Sequence, residues 1–345
     1  MASISRTNIV SWLFFSLLFV VSSLALSRPL VESSNTDQMY CNWMTKHGRV
    51  YKDSQEMAKR HKIFLENVKL IEDFNAQKDV GFKLAVNRFA DMTNDEFRAS
   101  LTGYKMESRV TKPNAGFRYS NDTNPPESID WRKLGAVTPI KNQGSCGACW
   151  AFSAVGAVES INQIKNGKLV SLSEQQLVDC DVDGTNNGCN GGFMDDAFDF
   201  IVKNKGLATE EVYPYIGSDN GVCNDNKTLM VSATITGYED VPGNNETALE
   251  MAVANQPVSV AVDAGGFKFQ FYSYGIMSGF CSTQLNHGII AVGYGQDYDS
   301  GRKYWLMKNS WGDNWGEDGY LRMAKDITYD EGMCGLAMIP SYPVV

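Results

Sequence analysis

Eight residues, Gln143-Gly144-Ser145-Cys146-Gly147-Ala148-Cys149-Trp150, lead into an Ala-rich, Pro-free stretch that is apolar nearly all round as far as Ile161. A stretch of that kind reads as a helix sunk in a core, so the rest of the fold must be built around it. Cys149 then stands at a helix N-terminus. Unpaired N–H groups and the positive end of the helix dipole favour an anion there, which makes the thiol easy to ionise. The Cys146-x-x-Cys149 spacing has two other readings, a zinc site and a redox dithiol. Zinc wants a second ligand pair, and Cys180 and Cys189 stand eight residues apart between them with no His nearby. A redox pair wants a strand leading into the motif, and none is evident.

The cysteine census separates these readings further. The chain opens with Arg6 and an apolar run from Ile9 to Leu26, interrupted by serines, which reads as a secretory signal peptide over 1–26. In an oxidising compartment most thiols pair. Of eight cysteines, Cys41 lies far upstream, and a cut between it and the rest leaves seven. Seven is odd, so one thiol stays free or pairs outside the chain, and the helix start nominates Cys149. Three sequons, at Asn121, Asn226 and Asn245, fit the secretory route.

Along the chain, 54–76 lacks Gly and Pro and repeats Ile63, Phe64, Asn67, Leu70, Ile71 and Phe74 at three- and four-residue spacing, predicting a long amphipathic helix. Residues 82–89 alternate like a strand, and 91–97 reads as a turn entering a small helix. Residues 104–128 have a linker composition ending in Pro125-Pro126, and a proteolytic boundary is expected near Asn124 to Pro126. Past it, helices are expected at 149–166, 173–179 and 194–204. Strands are expected at 258–262, 287–292 and 303–308. A helical half followed by a strand-rich half places a ligand cleft between them.

Charge divides along the same line. Of 31 Lys+Arg and 40 Asp+Glu, residues 1–124 hold 17 and 13, leaving 14 and 27 for 125–345. The acidic C-terminal part argues against a nucleic-acid partner, and attraction between the two parts should weaken as carboxylates protonate. After the signal peptide no apolar run reaches membrane-spanning length.

Of three histidines, His47 and His61 lie upstream and only His287 lies in the second part. A lone His is usually an ordinary surface or core residue, but here it is the only imidazole left to serve as a base. Cys149, then His287 138 residues later and Asn309 160 later, complete the set for cysteine nucleophilic catalysis.

With Gln143 to Trp150, Leu285-Asn286-His287-Gly288 and Lys308-Asn309-Ser310-Trp311-Gly312 in order, the chain resembles a plant-type papain-like cysteine protease precursor. Glu56, Arg60, Phe64, Asn67, Ile71 and Asn75 match the spacing of that family's inhibitory propeptide, while Ala85 replaces an expected Gly and puts the local backbone in doubt. The resemblance implies an α+β two-domain fold, with a helical domain (125–232) and a β-barrel-like domain (233–345), behind a mostly helical propeptide (27–124). It implies Cys149 as nucleophile, His287 as acid and base, Asn309 orienting the imidazole and Gln143 helping to bind the oxyanion. Trp311 either shields the His287–Asn309 bond or is an ordinary core tryptophan.

The resemblance also implies the pairs Cys146–Cys189, Cys180–Cys223 and Cys281–Cys334. Gly191 and Gly192 would let a substrate backbone approach. Phe193, Met194, Ala261, Leu285 and Ile339 would line an apolar pocket for the residue two before the cut (P2). No cofactor or metal is called for. Expected partners are protein and peptide substrates, the chain's own propeptide and cystatin-type inhibitors, with the enzyme a monomer in a vacuole- or lysosome-like compartment or outside the cell. Asn286 stands where many relatives carry Asp, which removes a negative charge beside His287. A catalytically dead binding or storage protein is the alternative, disfavoured because all four catalytic residues are present. An exopeptidase would need a cleft-blocking insertion, and none is evident.

Overall fold

The computed structural model describes residues 36–78, 80–104, 117–121, 124–219 and 222–345. The signal-peptide reading and most of the 104–128 linker therefore lie outside the described residues. The chain divides into two units after Val68.

In the first unit, residues 36–47 form a helix that the sequence reading did not foresee, and the helix Ser54–Asn75 begins. Tyr40 and Trp43 of the former close on Phe64 of the latter, with ring centroids 5.1 and 5.2 Å apart. Within the long helix, Arg60 Nε donates to Glu56 Oε1 at 2.7 Å, an i,i+4 pair.

The second unit is built on a nine-stranded sheet. From one edge to the other its order is Phe82–Leu84, Tyr272–Met277, Tyr320–Ala324, Lys303–Lys308, His287–Gln296, Val258–Val262, Ser341–Val344 and Gly237–Asp240, with Ile129–Asp130 paired beside His287–Gln296. Asn75 ends the long helix and clamps the first strand. Its Nδ2 donates to Leu84 O at 2.8 Å, and its Oδ1 accepts Leu84 N–H at 3.0 Å. The strand expected over 82–89 stops at Leu84, because Asn87 Oδ1 takes the Phe89 N–H at 2.9 Å and turns the chain. Ala85 is not among the residues with positive φ, and its N–H donates to Phe271 O at 2.9 Å, so the missing Gly costs nothing here.

The helix Cys149–Asn166 packs against this sheet and is buried along all of Cys149 to Asn162. A polar stitch fixes it: Ser153 Oγ donates to Ile289 O at 2.8 Å, and Ser259 Oγ donates to Ser153 O at 3.0 Å. Helices Glu174–Cys180, capped by Ser173, and Met194–Lys203 complete the helical half. A two-stranded sheet, Leu207–Ala208 with Val231–Ala233, was not foreseen there.

Disulfides Cys146–Cys189, Cys180–Cys223 and Cys281–Cys334 are present as the family resemblance implied, and Cys41 and Cys149 are free. Cys146 is thus a structural half-cystine, which removes the zinc and dithiol readings. The sequon residues Asn121, Asn226 and Asn245 are exposed. Asn245 also caps the helix Glu246–Asn255 by accepting from Ala248 N–H.

Candidate active site

Cys149 is the first residue of its helix, and Ala148 before it supplies no side-chain cap, so the N-terminal N–H groups keep facing outward. The Cys146–Cys189 bond and Gly147 N–H on Cys189 O (3.0 Å) pin the approach to the helix. His287 opens its strand, and the following residue abuts Cys149: a Cβ on Gly288 would lie 3.1 Å from the Cys149 carbonyl oxygen. His287 Nε2 lies 2.8 Å from Asn309 Oδ1, an acceptor, so Nε2 carries the proton and Nδ1 is the basic atom. Asn309 Oδ1 also receives the Ser310 N–H at 2.8 Å.

Trp311, fully buried, stacks on the imidazole with centroids 4.5 Å apart and rings 29° from parallel. It thus belongs to the core and lies against the imidazole face. Gln143 is held by Ser310 on both sides, through Ser310 Oγ to Gln143 Oε1 (2.6 Å) and Gln143 N–H to Ser310 O (2.8 Å). Ser310 was not singled out from the sequence, although it lies inside the Asn309 motif.

The cleft is filled by residues 101–104. Gln143 Nε2 donates to Leu101 O at 3.2 Å, Gly192 N–H to Gly103 O at 2.9 Å, and Tyr104 N–H to Asn286 O at 2.9 Å. Gly103 has no room for a side chain: a Cβ there would overlap the Gly147 carbonyl. Gly191, at φ +106°, faces Gly103 just as closely. Tyr104 is buried in the same apolar cluster as Phe193, Met194, Ala261 and Leu285, edge-on to Phe193 at 5.1 Å, and Ile339 packs against that cluster. Met338 packs there too and was missed, because its place depends on a turn around Cys334 and Gly335 at positive φ. Upstream of the cleft, Phe97 and Phe89 set their edges on Trp311, at 5.2 and 6.0 Å.

This cover reverses one electrostatic expectation. Burial pushes the Cys149 thiol up, against the opposing pull of the backbone amides around it. Burial likewise pulls His287 down to about 4, against its bond to Asn309. The helix N-terminus alone argued for an easily ionised thiol; in the covered site desolvation outweighs it. Asn286 has a carboxylate behind it. Its Nδ2 donates to Asp263 Oδ1 at 2.6 Å. Asp263 lies 23 positions away in sequence and carried no motif.

Beneath Asn309 lies a buried charge network. Lys141 Nζ bridges Glu159 Oε1 (2.8 Å) and Glu174 Oε1 (2.6 Å), and Lys308 Nζ donates to Thr138 Oγ1 (2.8 Å). Burial raises Glu174 to about 7 despite Lys141. Among the described residues no cluster of three His, Cys, Asp or Glu could hold a metal.

Residues 125–344 match the family model "Papain family cysteine protease", and residues 40–97 match "Cathepsin propeptide inhibitor domain (I29)". The chain belongs to the papain family of cysteine proteases and carries a propeptide. Papain-family relatives of high similarity include the senescence-specific cysteine proteases SAG39 of Oryza sativa subsp. indica and SAG12 of Arabidopsis thaliana. Both are 54% identical, over 94% of this chain and 95% and 94% of theirs. Among solved structures, a recombinant stem bromelain precursor matches with TM-score 0.83 at 47% identity, over 90% of this chain and 99% of that one. The Amb a 11 cysteine protease, a major ragweed pollen allergen, in its proform matches with TM-score 0.84 at 42% identity, over 90% and 95%.

Proposed function

We propose that this papain-family protease is a secretory-pathway endopeptidase made as a zymogen, with a signal peptide over 1–26, a propeptide over 27–124 and a mature enzyme over 125–345. The reading rests above all on the 101–104 segment, whose carbonyls occupy the donors of Gln143 and Gly192 while its backbone covers Cys149. Release of that segment rehydrates Cys149 and His287, and the proton passes from thiol to imidazole. The thiolate attacks the scissile carbonyl, and the oxyanion takes hydrogen bonds from Gln143 Nε2 and the Cys149 N–H. His287 then protonates the leaving amine, a thioester remains on Cys149, and water activated by His287 hydrolyses it. Asn309 holds the imidazole throughout. Gln143→Ala should raise the barrier by about 2.7–4 kcal/mol through loss of one oxyanion donor.

Gly191 and Gly192 admit the substrate backbone. Phe193, Met194, Ala261, Leu285 and Ile339 receive the P2 side chain, and a bulky apolar residue is expected there, consistent with Tyr104 lying in the same cluster. Glycans on Asn121, Asn226 or Asn245, inhibition by cystatin-type proteins, a monomeric enzyme and residence in a vacuole-like compartment or outside the cell belong to the same reading. The test is acid treatment of the full chain, followed by labelling with a thiol-reactive peptide epoxide and profiling on a peptide library. A product cut near Asn124 to Pro126, labelled at Cys149 and selective for apolar P2, is expected. An unlabelled Cys149 would favour the inactive binding protein, and a preference for Arg at P2 would overturn the pocket assignment.

A further inference from the structure

Residues 98–124 lie between the two matched family models and belong to neither. Within that gap Phe117 to Ser120 form a tight turn, closed by Ser120 N–H on Phe117 O at 3.1 Å. Every side chain of its first three residues has a partner on the enzyme. Arg118 donates from Nε (2.9 Å) and Nη2 (2.7 Å) to Glu239 Oε1, and its backbone N–H donates to Glu239 Oε2 at 3.2 Å. Tyr342 Oη donates to the same Oε2 at 2.6 Å. Tyr119 Oη donates to Gln256 Oε1 at 3.0 Å, and Gln256, itself buried, is fixed by its own bond to Pro343 O at 2.9 Å. The rings of Tyr119 and Phe117 lie 5.3 and 6.4 Å from that of Tyr342.

The receiving surface is the terminal strand of the sheet, Gly237–Asp240, and its neighbour Ser341–Val344, where Glu239 and Tyr342 are paired in register. Three strand steps, about 14 Å, separate it from the strand that carries His287. Phe82–Leu84 adds itself to the opposite edge of the same sheet. The upstream region thus holds the sheet at both ends, and the cleft is a third, separate point of contact.

We propose that Glu239, Tyr342 and Gln256 form a peptide-binding site, separate from the catalytic cleft, for a turn carrying an aromatic–Arg–aromatic sequence. The carboxylate takes the guanidinium, Tyr342 offers its ring face, and Gln256 accepts the phenol. On the zymogen reading above, the site keeps hold of the propeptide after the chain is cut near Asn124 to Pro126.

The test does not require the protein to be a protease. In the full chain carrying F117A, R118A and Y119A, the site is vacated without any cut. The probe is fluorescein-labelled Phe-Arg-Tyr-Ser-Asn, the sequence of 117–121, followed by anisotropy with Cys149 alkylated. Saturable binding to the vacated chain is expected, with affinity about tenfold or more weaker for the unmodified chain, for a probe with Gln in place of Arg, and for the vacated chain that also carries E239Q. Equal binding to vacated and unmodified chains, indifference to the Arg-to-Gln probe, or no binding at millimolar probe would overturn the proposal. If E239Q does not fold, Y342F and the Arg-to-Gln probe decide it. Failure of acid processing bears on the zymogen reading and leaves this measurement intact.

Discussion

Replacing Gly103 with Ala adds one methyl group to the segment that covers Cys149 and changes nothing in residues 125–345. That methyl would overlap the Gly147 carbonyl, which is backbone and cannot swing aside. The segment must lift. Lifting breaks the bonds from Gln143 Nε2 to Leu101 O, from Gly192 to Gly103 O and from Tyr104 to Asn286 O. At about 0.5–1.5 kcal/mol net each, these total about 1.5–4.5 kcal/mol, before any loss from exposing Tyr104. The open fraction of the cleft should rise about 10- to 1,600-fold. Iodoacetamide labelling of Cys149 in the full chain, followed by peptide mapping, reads that fraction, since modification of a buried thiol tracks the population of the open form. Cys41, free and exposed, serves as an internal standard that should not change. A folded G103A chain whose Cys149 is labelled at the unmodified rate would refute the view that backbone contact at Gly103 keeps the cleft shut.

Three other outcomes are expected. His287 is held near 4 in the covered site against 6.5 ordinarily, so covering stabilises above the ordinary value and is lost as pH falls through 6.5 toward 4. That amounts to about 1.4 kcal/mol per pH unit across the window. The raised Cys149 acts with the opposite sign, its contribution present at neutral pH and lost above the ordinary thiol value. Protection factors over 98–104, with the intrinsic fall of amide exchange on acidification divided out, should drop as pH goes from 7 to 5, and unchanged protection would count against it. Lys141→Met leaves Glu159 and Glu174 buried without their shared cation and should cost about 3–5 kcal/mol in urea unfolding; a loss under about 1 kcal/mol would show that water reaches the network. Asp263→Asn removes the carboxylate behind Asn286, and the alkaline limb of mature kcat/KM should move to lower pH. An unchanged limb at unchanged stability would mean that this charge is not felt at His287.

Much of the site could be read in the sequence because its parts are local. The helix at 149–166, the Ser173 cap and the strands at 258–262 and 303–308 follow from periodicity and capping, which neighbouring residues decide among themselves. The helix at 36–47 is hard to see, although Tyr40, Trp43 and His47 recur at helical spacing, because polar residues surround them. The strand expected over 82–89 ends early because alternation ignores the Asn87 side chain that turns the chain. Asp263 behind Asn286, Ser310 behind Gln143 and the rise of the Cys149 thiol share another cause. Each is set by a partner distant in sequence, or by water excluded by a segment whose position no local pattern encodes.

The disulfides close loops of 43, 43 and 53 residues, two within the proposed 125–232 half and one within the 233–345 half. None of the three crosses between them. Each half is covalently stiffened on its own, while the seam that carries Cys149 on one side and His287 on the other is held by noncovalent bonds, those of Ser153, Ser259 and Lys308 on Thr138 among them. Mechanical compliance is thereby concentrated in the cleft: under load or heat the two halves should separate as intact bodies before either unravels, and Cys149 and His287 should be the first to part.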